Sequence, residues 1–241
     1  SSLVYGENGS TITSGPATAT EFDTVIRPLV NTNFGTETDF DDNGKVILLM
    51  LDIRDGYTGS NGYVAGYFDP TQQFAKSSYP NSNEGEMLYL DVNPAIPGSP
   101  DFNGTVSHEF QHLVNFCNTY MIDNKQQDVW INEGLSSGAE YLYAGAQVQD
   151  RIDYYNADPT GSIANGNNFY VWDGYWENVA KDQLANYSTV YLFFQWLRLH
   201  ASNGTGIYKD ILSSTFRDYR AVTTAAASRI NSTLGSWSTL L

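Results

Sequence analysis

A chain of 241 residues is long enough to bury a sizeable core, as one domain or two closely packed subdomains. Its 41% hydrophobic and 14% aromatic content indicates a folded globular protein, and no apolar run reaches the roughly 18 residues that a membrane-spanning helix needs. The 27 acidic against 12 basic residues give a net charge of −15, which argues against nucleic-acid binding because that needs basic surface to displace counterions.

The same charge favours solubility and attracts cations such as Ca²⁺. Few lysines with abundant Ser, Thr, Asn, Gly and Tyr is a composition common in secreted enzymes. The sequence begins at Ser1 with no Met and no visible signal peptide, which suits a processed mature domain. A secreted or extracellular protein is therefore expected, with cell-surface attachment through a removed N-terminal segment left open. Cys117 is the sole cysteine, so an intrachain disulfide is excluded.

Residues 1–20 are rich in Ser, Thr and Gly and read as extended or partly loose. Phe22, Val25, Ile26, Leu29 and Val30 give residues 21–31 a helical period. Asp39-x-Asp41-x-Asn43-Gly44 begins like a calcium loop, but its twelfth position is Met50 where a bidentate Glu is required. An Asx-rich turn into a strand at Val46 is the favoured reading. A Ca²⁺ site using Asp39, Asp41 and Asn43, completed by distant carboxylates, is the weaker one.

Val46 to Ile53 reads as a central strand and Gly62 to Phe68 as a second. Residues 71–86 are polar and loop-like, and Met87 to Val92 is another strand. That last strand is equally an internal strand or an edge that pairs with an extended peptide.

Residues His108-Glu109-Phe110-Gln111-His112 follow, in a chain with three histidines in all. Val106, Phe110, Leu113, Val114 and Phe116 recur at helical spacing, and Pro100 and Asp101 suit a helix start, so a helix buried on one side is expected over 101–118. Histidines four apart share a helix face and can reach one Zn²⁺ at about 2.0–2.1 Å, with the intervening carboxylate beside the metal's water. The bland alternative is a surface helix with two solvated histidines. Cys117 points about 140° away from His112 and reads as a small buried hydrophobe.

A catalytic zinc wants three protein ligands and an open position. Glu133, in Trp130-Ile131-Asn132-Glu133-Gly134-Leu135, is the candidate third, on a helix expected over 129–147. The longer motif HExxHxxGxxH fails, because its glycine and third histidine are Asn115 and Asn118 here. His200 lies far off, in a helix expected over 186–201. Residues 207–219 and 221–230 supply two more helical patterns. Strands first and helices after is an α+β arrangement. One domain over 1–241 is expected, with a mostly β N-terminal subdomain to about 118 that ends in the active-site helix, and a helical subdomain over about 119–241.

HExxH followed by Trp-x-Asn-Glu-Gly resembles the gluzincins, zinc peptidases whose third ligand is a glutamate. Thermolysin has a similar Asn-Glu pair and the aminopeptidase N family a similar Trp-Leu-Asn-Glu-Gly stretch. Among secreted bacterial enzymes the chain most resembles the hyicolysin family of neutral metallopeptidases, over most of its length. The resemblance implies a zincin-like fold with a sheet behind the zinc helix. It also implies Zn²⁺ on His108, His112 and Glu133, with Glu109 as general base.

Tyr187, in Asn186-Tyr187-Ser188-Thr189-Val190-Tyr191, matches a tyrosine that in aminopeptidase N donates to the oxyanion, although the family's following Glu-Lys-Gly is Ser188-Thr189-Val190 here. Tyr191 and then His200 are the substitutes. Thermolysin's aspartate four residues after its glutamate ligand is Ser137 here, and Glu140 is the candidate for supporting a histidine, against the plain reading of a solvated side chain. The Gly-x-Met-Glu-Asn amine anchor of aminopeptidases is missing, which favours an endopeptidase acting on protein or peptide substrates. The alternatives are an aminopeptidase with another anchor, or a relict binding or adhesion module. The intact Glu109 argues against the relict, since binding needs no general base.

Overall fold

The computed structural model describes residues 3–6, 15–59, 62–172 and 182–240. Strand β1 (Leu3–Gly6) pairs in parallel with β2 (Ile47–Leu51), and β2 pairs in parallel with β4 (Met87–Asp91). Strand β3 (Gly66–Phe68) runs antiparallel to β4, so the sheet order is β1-β2-β4-β3. Parallel pairs need long crossovers. The β1–β2 crossover contains α1 (Gly15–Glu21), a π-helical segment (Phe22–Ile26) and α2 (Arg27–Asn33).

Helix α3 (Pro100–Asn118) starts where Ser99 Oγ accepts the Phe102 amide at 3.2 Å, with Pro100 in the first turn. Its stripe of Val106, Phe110, Leu113 and Val114 is fully buried in one core with Leu48 and Met50 of β2 and Leu88 and Leu90 of β4. Each such side chain stabilises the fold by about 1.5–3 kcal/mol relative to exposure. Phe22 of the π segment meets Phe110 edge-on, ring centroids 4.9 Å apart.

After the short α4 (Tyr120–Asp123), helix α5 (Val129–Ala144) packs on α3 and ends at Gly145 in the left-handed region, φ 63°. Then come α6 (Gln149–Ala157), α7 (Gln183–His200), α8 (Gly206–Leu212), α9 (Tyr219–Arg229) and α10 (Trp237–Leu240). Gly134 lets α5 and α7 approach closely: a Cβ there would lie 2.3 Å from the Phe194 ring. No described helix is long and apolar enough to cross a membrane.

The α+β class holds, but the part before residue 118 is mixed and not mostly β. Its strands are three to five residues long, whereas α3 alone has 19. Within residues 1–20, expected to be extended or partly loose, β1 is extended and α1 begins at Gly15; residues 1, 2 and 7–14 lie outside the described set. Pro16 does not prevent a helix there because proline is tolerated in a first turn. Strand β4 is internal and β3 takes the edge. Helix α6 was not expected, and it buries no residue fully, so it carries no apolar period to read. Helix α8 stops at Leu212, and α9 begins after Asp218, whose side chain accepts the Arg220 amide.

Candidate active site

The spacing on α3 brings the His108 and His112 rings to 4.7 Å, nearly perpendicular at 77°. Their Nε2 atoms lie 3.3 and 3.6 Å from Glu133 Oε2 on α5. One ligand atom of each residue lies within 4.8 Å of the others, a group that can hold a metal ion. His108 and Glu133 are buried and His112 is half-buried, and Glu133 Oε2 has no hydrogen bond.

The other nitrogen of each imidazole is occupied. His108 Nδ1 donates to Glu140 Oε1 at 2.5 Å, and Arg151 Nη2 of α6 reaches the same oxygen at 3.4 Å. Asn132 Oδ1 and Ser136 Oγ each lie 3.0 Å from His112 Nδ1. In the neutral imidazole a proton held at Nδ1 leaves the Nε2 lone pair facing Glu133, which is how metal-ligating histidines are oriented. Two imidazole nitrogens and an unpartnered carboxylate oxygen fit the three-ligand set of a catalytic zinc.

Burial works against every charge here. Against it, Glu140 and Glu133 hold the His108 pKa up at about 10. Glu133 likewise raises His112, while the two imidazoles bring Glu133 well below the usual carboxylate range. Arg151 and His108 lower Glu140. Glu109 differs: burial outweighs its two histidine neighbours and its pKa rises.

A cleft of about 600 Å³ opens over this cluster, lined by His108, Glu109, His112, Glu133, Tyr187 and the β3 residues Gly66, Tyr67 and Phe68. Gly66 permits the close passage of β3, since a Cβ there would lie 2.9 Å from Tyr89 O and 3.1 Å from Glu109 Cγ.

Tyr187, in the first turns of α7, has its ring centroid 6.5 Å from that of His108 and sits edge-on to Trp172 at 5.0 Å. Its two substitutes lie elsewhere. Tyr191 is buried and its hydroxyl bridges Gln147 Oε1 at 2.5 Å and the Val148 amide at 2.9 Å. His200 is exposed and its Nδ1 lies on Trp196 O at 2.9 Å. Glu140 is part-buried against His108 and not a solvated side chain. Arg151, Asn132 and Ser136 were not foreseen; only Asn132 carried a signal, as the neighbour of Glu133.

The calcium-loop reading is corrected in one respect. Asn43 is spent on its own turn: its Oδ1 accepts the Lys45 amide at 2.7 Å and its Nδ2 donates to Asp41 Oδ2 at 2.5 Å. The residue grouped with Asp39 and Asp41 is Glu86. Cys117 is buried near Thr38 Oγ1, at 3.2 Å.

No family model matches the chain. Over 201 residues it is 36% identical to the neutral metalloprotease ShpI of Staphylococcus hyicus, covering 80% of this chain and 43% of that protein. The chain thus spans less than half the length of the relative it matches. The similarity, with a His-His-Glu cluster able to hold a metal ion, supports a metalloprotease family for this chain.

Proposed function

We propose that the chain is the catalytic unit of a zinc endopeptidase of the gluzincin type, similar to the hyicolysin family and acting outside the cell on proteins or peptides. The observation that carries this reading is the convergence of both Nε2 atoms on Glu133 Oε2 while both Nδ1 atoms are held from behind.

Held by His108, His112 and Glu133, Zn²⁺ would supply Lewis acidity, polarising the scissile carbonyl and lowering the pKa of water towards about 7. Glu109 takes the water proton and passes it to the leaving amine. Its raised pKa suits a group that must hold a proton between those two steps. The Tyr187 hydroxyl donates to the oxyanion. The outer edge of β3 offers main-chain donors and acceptors to an extended substrate, and the neighbouring cleft takes its side chains.

Asp69 is the carboxylate on the described cleft lining outside the His-Glu cluster. An aminopeptidase would need it as an amine anchor, but it already accepts from Thr71 N, Thr71 Oγ1 and Gln72 Nε2 at 2.7–2.9 Å. That supports the endopeptidase. The deciding experiment is incubation with an N-terminally blocked peptide. Internal cleavage that a chelator abolishes and Zn²⁺ restores is expected; cleavage confined to free N-termini would replace this reading with the aminopeptidase.

A further inference from the structure

We infer that Asp39, Asp41 and Glu86, none of which lines the cleft, form a second cation site, for a hard divalent ion of the Ca²⁺ type, independent of zinc. One carboxylate oxygen of each residue lies within 4.8 Å of the other two. Three oxygens at that separation suit an ion that takes oxygen ligands at about 2.3–2.6 Å.

Acidic residues crowd together on many surfaces without binding anything, and Asp39 and Asp41 are exposed. Glu86 is different. It is 2% exposed, so its carboxylate is removed from solvent. Its Oε1 accepts the Phe40 amide at 2.8 Å, while its Oε2 is buried with no hydrogen-bond partner. Asp39 and Asp41 accept only uncharged donors, the Asn43 and Gly44 amides and Asn43 Nδ2, and none of the ion pairs among the described residues involves them or Glu86. A buried carboxylate oxygen left without a donor costs free energy unless a cation meets it. Burial, and to a lesser extent the two aspartates, also push the Glu86 pKa up.

The chain has arranged the approach closely. A Cβ on Gly85 would fall 3.1 Å from Asp41 Oδ2, so the aspartate leans over the residue before Glu86. The Glu86 carbonyl accepts the Ile47 amide at 2.8 Å, at the start of β2. An ion at this point would fasten the 39–44 turn to the starts of β2 and β4.

The test is titration of the zinc-loaded protein with CaCl₂ by calorimetry, together with melting temperature against CaCl₂ and MgCl₂. Saturable binding of one Ca²⁺ and a rise in Tm are expected, with Mg²⁺ weaker because it demands stricter octahedral geometry. Asp41→Asn, an exposed change, should weaken Ca²⁺ binding at least about tenfold. Glu86→Gln keeps the acceptor for Phe40 and should abolish it, both variants retaining full zinc. Absence of saturable Ca²⁺ binding to the parent would overturn the site. So would an equal Ca²⁺ response in Asp41→Asn, which would reduce the effect to screening of the net charge.

Discussion

The guanidinium of Arg151 lies 4.8 Å above the ring of Tyr187, and its Nη2 also reaches Glu140. Glu140 in turn holds His108 Nδ1. One arginine from α6 thus braces both the tyrosine proposed as oxyanion donor and a histidine proposed as zinc ligand. Arg151→Ala is expected to weaken zinc binding and to lower kcat in the zinc-saturated enzyme. Glu140→Gln should lower zinc affinity by about 10–100-fold, the usual loss when the partner behind a ligating histidine is removed. Competition with a chromophoric chelator measures the first effect, and initial rates at saturating zinc the second. Normal values for both variants would mean that Arg151 and Glu140 only pack.

Glu133→Gln should lose zinc and activity together, because the oxygen facing both Nε2 atoms becomes a poorer ligand. Metal analysis after dialysis at low free zinc is the measurement. Full zinc with normal turnover would remove Glu133 from the ligand set.

Glu109→Gln should behave in the opposite way. It keeps the side-chain volume in a buried position and leaves both histidines their partners, so zinc content and melting temperature should stay near those of the parent. Turnover should fall by at least about 10²–10⁴-fold, the range of general acid–base catalysis. Retained turnover would mean that another group carries the proton.

Tyr187→Phe keeps the ring that packs on Trp172 and removes the hydroxyl. A drop in kcat of about 10²–10³-fold with KM little changed is expected, as for loss of one oxyanion donor. A normal kcat combined with lower stability would make Tyr187 a packing residue.

Gly134→Ala tests the scaffold under the site. The added methyl would lie 2.3 Å from the Phe194 ring, so α5 and α7 must separate. A stability loss of about 1–3 kcal/mol or more is expected from such overpacking. Because Glu133 is the preceding residue, zinc affinity should fall with it. Denaturant melts and zinc competition on the same preparation check the two effects.

The parts of this molecule written into short-range pattern were legible beforehand. The buried stripe of α3 and the four-residue histidine spacing follow directly from helical geometry, and the Trp-Ile-Asn-Glu-Gly segment marked Glu133. Arg151 was not legible, because α6 buries no residue fully and leaves no apolar period. The internal position of β4 was not legible either, since which strand flanks another depends on partners and not on its own residues. Glu86 stands 45 positions from Asp41, so nothing local joins it to the 39–44 turn. The polar contacts behind His112 needed the crossing of α5 over α3, which no single-helix pattern encodes.

The proposed ligands all fall between residues 108 and 133, on two helices locked in one core, while Thr119, Gln126 and Gln127 of the intervening segment help line the cleft. Under the proposed function, part of substrate choice would be separable from metal chemistry along the chain. Exchanging residues 124–127 should redirect which peptides are cut while zinc affinity stays constant. It would be one interval through which a new cleavage preference could be selected or engineered without rebuilding the proposed reaction centre.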